Sequence, residues 1–129
     1  MRAPPLLFAV LLLVPGAVAA PVAPVPATTV TGTASFYGEA YRGRTTASGL
    51  PFDPGAMTAA CWHLPLGSRA RVTHGERSVV VKITDRGPAR RLYREGRVID
   101  LSEAAFARLA PVSLGLIAVT VELEPPAGT

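Results

Sequence analysis

The residues best suited to chemistry lie in the middle of the chain. The stretch "TASGLPFDPGAMTAACWHLPLG", residues 46–67, sets Cys61, Trp62 and His63 side by side. Residues two apart on a strand face the same side, so Cys61 and His63 have the spacing of a thiol–imidazole pair. No acidic residue follows at a useful spacing to complete such a site. Together with His74 these residues are too few for a zinc site, and the sequence predicts neither a metal nor a cofactor.

Two aspartates are the better candidates for an acid or a base. Asp85 ends the apolar run "SVVVKITD" shortly before a Gly-Pro pair, which predicts a carboxylate at the rim of a cleft. The same residues form turns well, so a structural turn is the alternative. Asp100 lies in "VIDLSEAAFARL", where support of a helix start is the alternative to chemistry. Asp53 is interpreted as a turn residue.

The hydrophobic pattern around these residues predicts short strands. A β-hairpin with its turn at Gly75-Glu76 is indicated by two β-branched runs. The last strand alternates, with Ile117, Val119, Val121 and Leu123 on one side. The predicted strands cover residues 31–38, 70–74, 77–85, 98–102 and 115–124.

One short helix is predicted at residues 102–110. Ser102 is its N-cap, and Ala105, Phe106 and Leu109 share one face. Many short strands with one brief helix favour a small closed β-barrel.

The N-terminus has the pattern of an export signal. Arg2 precedes the apolar run Leu6–Val14, and small residues follow at 17–19. This pattern predicts a signal peptide at residues 1–19, since nine apolar residues are too few to span a bilayer. Residues 20–30 alternate Pro with Ala and Val and predict an extended linker. We therefore expect the folded domain at residues 31–124, with a tail at 125–129.

Four ordered blocks resemble one family. "ASFYGEAYRGRTTASGLPFD", "MTAACWHLPLG", "SVVVKITDRGP" and "VIDLSEAAFARL" are similar to motifs of the rare lipoprotein A (RlpA) family, and they cover nearly all of residues 31–124. The resemblance implies a mostly β fold, a single six-stranded double-psi β-barrel with one short helix. It also implies a lytic transglycosylase that cleaves peptidoglycan outside the cytoplasm.

The resemblance also assigns site residues. The family pattern has an active-site Glu, His and Asp; Asp85 keeps the Asp, whereas Leu50 and Cys61 stand where the Glu and the His are expected. Expansins share the barrel type and carry an Asp, in a motif similar to that of Asp100, in the polysaccharide groove. The candidate catalytic residues are therefore Asp85 and, second, Asp100.

The substrate contacts are predicted from the residues themselves. Tyr37 and Arg86, which is next to Asp85, are the candidate substrate-binding residues. Tyr37 and Trp62 are expected in the core or in the groove wall, where either ring could stack on a sugar. A lytic transglycosylase uses the 6-hydroxyl of muramic acid as nucleophile, so it can work with fewer carboxylates than a hydrolase. The alternative is a polysaccharide-binding barrel without turnover, which the replacements at Leu50 and Cys61 favour.

The charge balance fits a cell-wall partner. Removal of residues 1–19 leaves 12 basic against 9 acidic residues, a net charge of +3. Five arginines fall in residues 86–97, a predicted loop that either is simply solvated or binds an anionic polymer. For an exported protein we expect peptidoglycan glycan strands as the partner, no nucleic acid, and no membrane span after cleavage. The sequence identifies no division-site protein partner.

Overall fold

The protein is described by a computed structural model that covers residues 29–125. The predicted signal peptide, most of the linker and most of the tail lie outside these residues. The strands are β1 Val30–Tyr37, β2 Thr58–Ala60, β3 Arg69–His74, β4 Arg77–Asp85, β5 Arg97–Ser102 and β6 Ile117–Leu123. The helices are α1 Arg90–Arg94 and α2 Glu103–Leu109, with short 3₁₀ turns at Glu39–Tyr41 and Val112–Leu114.

The strands close into a barrel in the order β1-β5-β2-β4-β3-β6. Two of the six pairings are parallel, β1 with β5 and β2 with β4. The fold is the predicted double-psi β-barrel, and full closure removes the unpaired edges that an open sheet would expose. Among residues 29–125, no helix has the length and apolarity needed to cross a membrane.

The predicted hairpin is confirmed. Strands β3 and β4 pair antiparallel from Arg69↔Lys82 to His74↔Arg77. Gly75 opens the turn with a φ of 60°, a conformation that costs glycine little.

Helix α2 has the predicted cap and buried face. The Ser102 hydroxyl accepts a hydrogen bond from the Ala105 N–H at 3.2 Å and donates one to the Ala56 carbonyl at 2.6 Å. Ala105, Phe106 and Leu109 are buried, and the Phe106 ring lies 4.8 Å from the ring of Phe36. Ser102 therefore joins α2 to the barrel, and the helix closes one side of the core.

Three local features differ from the predictions. Strand β2 was not predicted, because it is only three residues long and its residues have weak β-propensity. It is a strand because it pairs with β4 and β5. The predicted loop at residues 86–97 contains helix α1, which ends just before Gly96, at a φ of 102°. Leu123 is partly exposed at the end of β6, unlike Ile117, Val119 and Val121.

Candidate active site

Strand β2 places the two predicted carboxylates on either side of one residue. Ala60 pairs in register with Asp85 on β4 and with Asp100 on β5. Adjacent strands lie about 4.8 Å apart, so the two aspartate backbones are separated by roughly 10 Å across Ala60. A Cβ at Gly87 would lie 3.2 Å from the Ala60 Cβ and 3.4 Å from Asp100 Oδ2. Glycine at that position therefore leaves room for the Asp100 carboxylate.

Asp85 and Asp100 line the same cleft. Its volume is about 310 Å³, at the lower end of the range for small-molecule sites. Most of the other residues in the cleft wall are aromatic or basic, which suits a ligand with apolar ring faces and polar or anionic edges. They include Tyr37, Tyr41, Phe52, Arg44, Arg86 and Arg97.

Asp85 is held by the backbone. Its Oδ1 accepts hydrogen bonds from the N–H of Ala47 at 2.9 Å and from the N–H of Arg86 at 2.8 Å. The first bond ties the turn at residues 46–49 to the end of β4, and the second reaches only the next residue. No hydrogen-bonded turn begins at Asp85 in the described part of the chain, and its carboxylate lines the cleft, where a catalytic role stays a prediction.

Asp100 is held by side chains. Its Oδ1 accepts a short hydrogen bond from the Ser35 hydroxyl and lies 3.8 Å from Arg97 Nη2. Arg97 Nε in turn donates to Ser35 Oγ at 3.1 Å. The side chain is only 20% exposed. Ser102, not Asp100, caps helix α2, which leaves the Asp100 carboxylate to the cleft.

The environment of Asp100 favours its neutral form. Burial raises the pKa of this carboxyl above its ordinary value of 3.8, and the Ser35 hydrogen bond and the Arg97 charge lower it only in part. A carboxyl that keeps its proton to higher pH is a better general acid near neutrality. Asp100 therefore has the property that an acid in this cleft requires.

Tyr37 lines the cleft, and its binding of substrate stays a prediction. Its ring stacks on Phe52 at 4.3 Å and meets the edge of Tyr41 at 5.7 Å. Burial, and next the negative charges of Asp85 and Asp100, raise the pKa of its hydroxyl. The phenol is therefore protonated throughout the physiological pH range and can act only as a neutral group.

Arg86 is committed to the backbone of the neighbouring turn. Its Nη1 donates to the carbonyls of Cys61 at 2.7 Å and Leu64 at 2.5 Å. Trp62 belongs to this turn, where its Nε1 donates to the Pro88 carbonyl at 2.6 Å. Binding of substrate by Arg86 stays a prediction. Among residues 29–125 neither Arg86 nor Arg44 forms an ion pair with an acidic side chain, and Arg44 lies over the Tyr41 ring instead of against backbone carbonyls.

Neither of the two replaced positions presents its side chain to the cleft. Cys61 is completely buried, with its Sγ 3.1 Å from His63 Nδ1, so the two side chains make the contact that their spacing permits. Burial raises the pKa of the Cys61 thiol and opposes the thiolate that a nucleophile requires. Leu50 is 59% exposed and lines a separate depression beside Asp53. Both positions adjoin the cleft through backbone bonds, Cys61 N–H to the Asp85 carbonyl and Thr46 N–H to the Leu50 carbonyl.

Because Cys61 is buried and Leu50 is exposed, we expect that introducing the family's His and Glu at these positions changes the free energy of unfolding by different amounts. Cys61→His inserts a larger polar ring into the core and is expected to cost about 1–3 kcal/mol of unfolding free energy. Leu50→Glu on the surface is expected to change it by no more than about 0.5 kcal/mol. Thermal unfolding of the two single variants measures this, since 1 kcal/mol shifts the midpoint by roughly 4–8 °C in a domain of this size. Equal midpoints would show that the core at Cys61 repacks freely.

Metal-binding residues are not gathered in the part of the chain that the structure describes. Within residues 29–125, no three or more His, Cys, Asp or Glu side chains are placed to hold an ion. His74 is at the end of β3, where its Nδ1 lies 2.7 Å from the Ala118 carbonyl.

Sequence reasoning missed four residues of the site. Ser35 and Arg97 hold Asp100, and Tyr41 and Arg44 line the cleft. Tyr41 and Arg44 stand in the first family-like block, which was the available signal. Ser35 stands in the same block, but its contact with Asp100 could not be predicted, because that contact depends on the parallel register of β1 and β5.

The barrel belongs to the double-psi class, as comparison with solved structures indicates. A Streptomyces papain inhibitor aligns with a TM-score of 0.61 at 27% identity, over 77% of this chain and 96% of its own. The expansin of Clavibacter michiganensis aligns with a TM-score of 0.60 at 26% identity, over 78% of this chain and 52% of its own. A mutant of that expansin, solved in complex with cellohexaose, aligns at 24% identity and supports the fold alone.

The sequence comparisons are more specific. The family model described as lytic transglycolase matches residues 29–121, so the chain belongs to this family. The endolytic peptidoglycan transglycosylase RlpA of Yersinia pestis is 55% identical over 80 residues, 60% of this chain and 21% of that protein. A probable RlpA of Nostoc is 49% identical over 71% of this chain and 25% of that protein. The matched region thus spans about a quarter or less of these relatives.

Proposed function

We propose that this domain is an exported endolytic peptidoglycan transglycosylase. It cleaves the bond between N-acetylmuramic acid and N-acetylglucosamine within glycan strands and leaves 1,6-anhydro ends. The observation that carries the proposal is the pair Asp85 and Asp100, which flank Ala60 in one cleft but are held in different ways. Membership of the lytic transglycolase family and the names of the relatives support it.

The two carboxyls divide the chemistry. Asp100, whose pKa burial raises, gives its proton to the glycosidic oxygen as the bond to the muramic acid C1 breaks. The 6-hydroxyl of the same muramic acid attacks C1 and gives its proton to Asp85. The products are an anhydro-muramic end and a free 4-hydroxyl, and no water is consumed. Proton exchange with solvent then returns Asp100 to its acid form and Asp85 to its carboxylate.

The cleft wall supplies the contacts for the polymer. Tyr41 is 43% exposed and offers a ring face to a sugar. The Arg44 guanidinium lies 5.2 Å from the centre of that ring and carries a positive charge into the cleft. Muramic acid bears a carboxyl-containing substituent, so this aromatic–cation pair suits it better than a neutral glycan. Peptidoglycan as substrate places the working protein outside the cytoplasm.

A second candidate function is a polysaccharide-binding barrel that has lost turnover. Leu50 and Cys61 favour it, because they replace the Glu and the His of the family pattern. The buried Cys61 thiol cannot take the place of an imidazole in proton transfer.

One experiment separates the two candidates. Purified mature protein is incubated with glycan strands freed of peptides, and the products are analysed by mass spectrometry. The proposed function predicts peptide-free glycan fragments with anhydro ends. Each is about 18 Da lighter than the corresponding hydrolysis product, because no water is added. Strand binding without fragments would favour the binding barrel, and fragments with hydrated ends would identify a hydrolase.

A further inference from the structure

Ser35 carries a buried hydroxyl that connects Arg97 to Asp100. It lies on β1 with 5% of its surface exposed, and it is not among the residues of the cleft wall. Its Oγ accepts a hydrogen bond from Arg97 Nε at 3.1 Å and donates a short one to Asp100 Oδ1. The parallel pairing of β1 and β5 sets Ser35 opposite Asp100 in register. A buried hydroxyl with both of these bonds made holds its neighbours in one arrangement.

The chemistry of the three side chains fixes the direction of these bonds. The Arg97 guanidinium can only donate, so the Ser35 oxygen is the acceptor of that bond. The single hydrogen of the hydroxyl is then left for Asp100 Oδ1. Arg97 Nη2, 3.8 Å from the same Oδ1, adds a positive charge there. A proton on Oδ1 would face both a donor and a cation, so the proton of the neutral carboxyl belongs on the other oxygen, Oδ2.

The second carboxyl oxygen of Asp100 is open to a ligand. Among residues 29–125 Oδ2 has no hydrogen-bond partner, and it is not one of the side-chain atoms sealed from solvent. A Cβ built on Gly87 would lie 3.4 Å from Oδ2 and 3.2 Å from the Ala60 Cβ, so Oδ2 is on the side of Asp100 that faces β2 and the end of β4. Asp85 is at that end of β4, across Ala60. Oδ2 therefore faces the side on which the proposed reaction takes place.

We propose that Ser35 is the positioning residue of the general acid: anchored by Arg97, its hydroxyl holds Asp100 Oδ1 so that Oδ2 carries the proton toward the bound sugar. The proposal rests on the proposed function for its substrate. Ser35 acts through Asp100 and exchanges no proton with the sugar. The Oδ2–H bond breaks as its proton passes to the glycosidic oxygen, and the bond from Ser35 to Oδ1 stabilises the carboxylate that remains.

Ser35→Ala removes this hydroxyl, and Ser35→Thr keeps one. Ser78→Ala on β4 is the matched control, because Ser78 Oγ also accepts from an arginine, Arg71 Nη1 at 3.2 Å, but lies outside the cleft. With peptide-free glycan strands and each protein at its own pH optimum, we expect kcat of Ser35→Ala to fall roughly tenfold or more with KM nearly unchanged. Ser35→Thr should recover most of this loss, and Ser78→Ala should match wild type.

A titration that needs no turnover checks the contact itself. The Asp100 carboxyl is followed by carbon-13 NMR, and its signal is assigned by its loss in Asp100→Asn. The bond from Ser35 lowers the pKa of Asp100, so we expect the midpoint to move to higher pH in Ser35→Ala and to return toward wild type in Ser35→Thr. The charged and titratable groups that share the cleft with Asp100 are the same in all three proteins: Arg44, Arg86, Arg97, Asp85, Tyr37 and Tyr41.

The outcomes separate this inference from the proposed function. Wild-type kcat in a folded Ser35→Ala protein would overturn the positioning role and leave the enzyme assignment intact. A loss that Ser35→Thr does not recover, with an unchanged titration of Asp100, would make Ser35 a structural residue and also overturn the proposal. If wild type releases no anhydro product, the proposed function fails and the titration decides. An unchanged or lower midpoint in Ser35→Ala then rejects the contact, and a higher midpoint keeps Ser35 as the residue that holds Asp100.

Discussion

Asp100→Asn is expected to reduce the release of anhydro-ended fragments by at least about 100-fold, the usual contribution of a general acid. The amide cannot give a proton to the glycosidic oxygen. It keeps the shape of the side chain and an oxygen that can accept from Ser35. The loss of activity should therefore occur without loss of the fold.

The same substitution has a predicted effect on stability. Since burial raises the pKa of Asp100, the folded protein holds this proton more tightly than the unfolded chain does. The stabilising contribution of the neutral carboxyl is complete below the unfolded pKa, and it is lost as the pH rises through the higher folded pKa. Ionisation of this carboxyl at neutral pH is thus less favourable in the fold than in the unfolded chain, a cost that a neutral side chain avoids. Asp100→Asn should have an equal or higher melting temperature at neutral pH, and the difference should shrink in acid.

Thermal unfolding and product analysis of Asp100→Asn at several pH values test both statements. The matched control is Glu76→Gln in the turn between β3 and β4, outside the cleft, which should resemble wild type in both assays. Activity close to wild type in a folded Asp100→Asn protein would remove Asp100 from the acid role. A large drop in the neutral-pH melting temperature would show that the Arg97 ion pair outweighs the cost of burial.

Asp85→Asn is expected to lower turnover by a similar factor, at least about 100-fold, for a different reason. An amide cannot accept the proton of the attacking 6-hydroxyl. The amide oxygen can still accept the bonds from the N–H groups of Ala47 and Arg86, so the turn should persist. The melting temperature should change little, and the affinity for glycan should be retained because the cleft wall is unaltered.

The pH dependence of the residual activity distinguishes the two aspartates. In wild type, kcat/KM should fall at high pH as Asp100 loses its proton. This fall should disappear in Asp100→Asn and persist in Asp85→Asn. The opposite pattern would reverse the two roles, and full activity of Asp85→Asn would leave Asp100 as the single acid and base.

Local sequence was enough to predict most of the barrel strands. The runs at 77–85 and 98–102 are rich in β-branched residues, and they form β4 and β5 almost as predicted. The cap at Ser102 was also visible, because capping depends on residues only a few positions apart. Strand β2 could not be found this way, since Thr58–Ala60 becomes a strand only by pairing with two distant segments.

The candidate site shows the same division. Asp85 and Asp100 were identified as carboxylates of interest from their motifs, and Tyr37 as a cleft residue. Which of the two is better suited to donate a proton was not visible in the sequence, because burial and Ser35, 65 positions away, set the pKa of Asp100.

The sequence by itself determined the family, the strand pattern and the identity of the acidic residues, because these depend on residue types and on near neighbours along the chain. Tertiary structure alone decided that Ala60 lies between Asp85 and Asp100, and that Cys61 turns into the core. It also decided that the Tyr37 hydroxyl remains unpaired among residues 29–125. The physical reason is that the crossing parallel pairs of the barrel bring together residues 24 to 65 positions apart, and burial, charge and hydrogen bonding are fixed only by that contact.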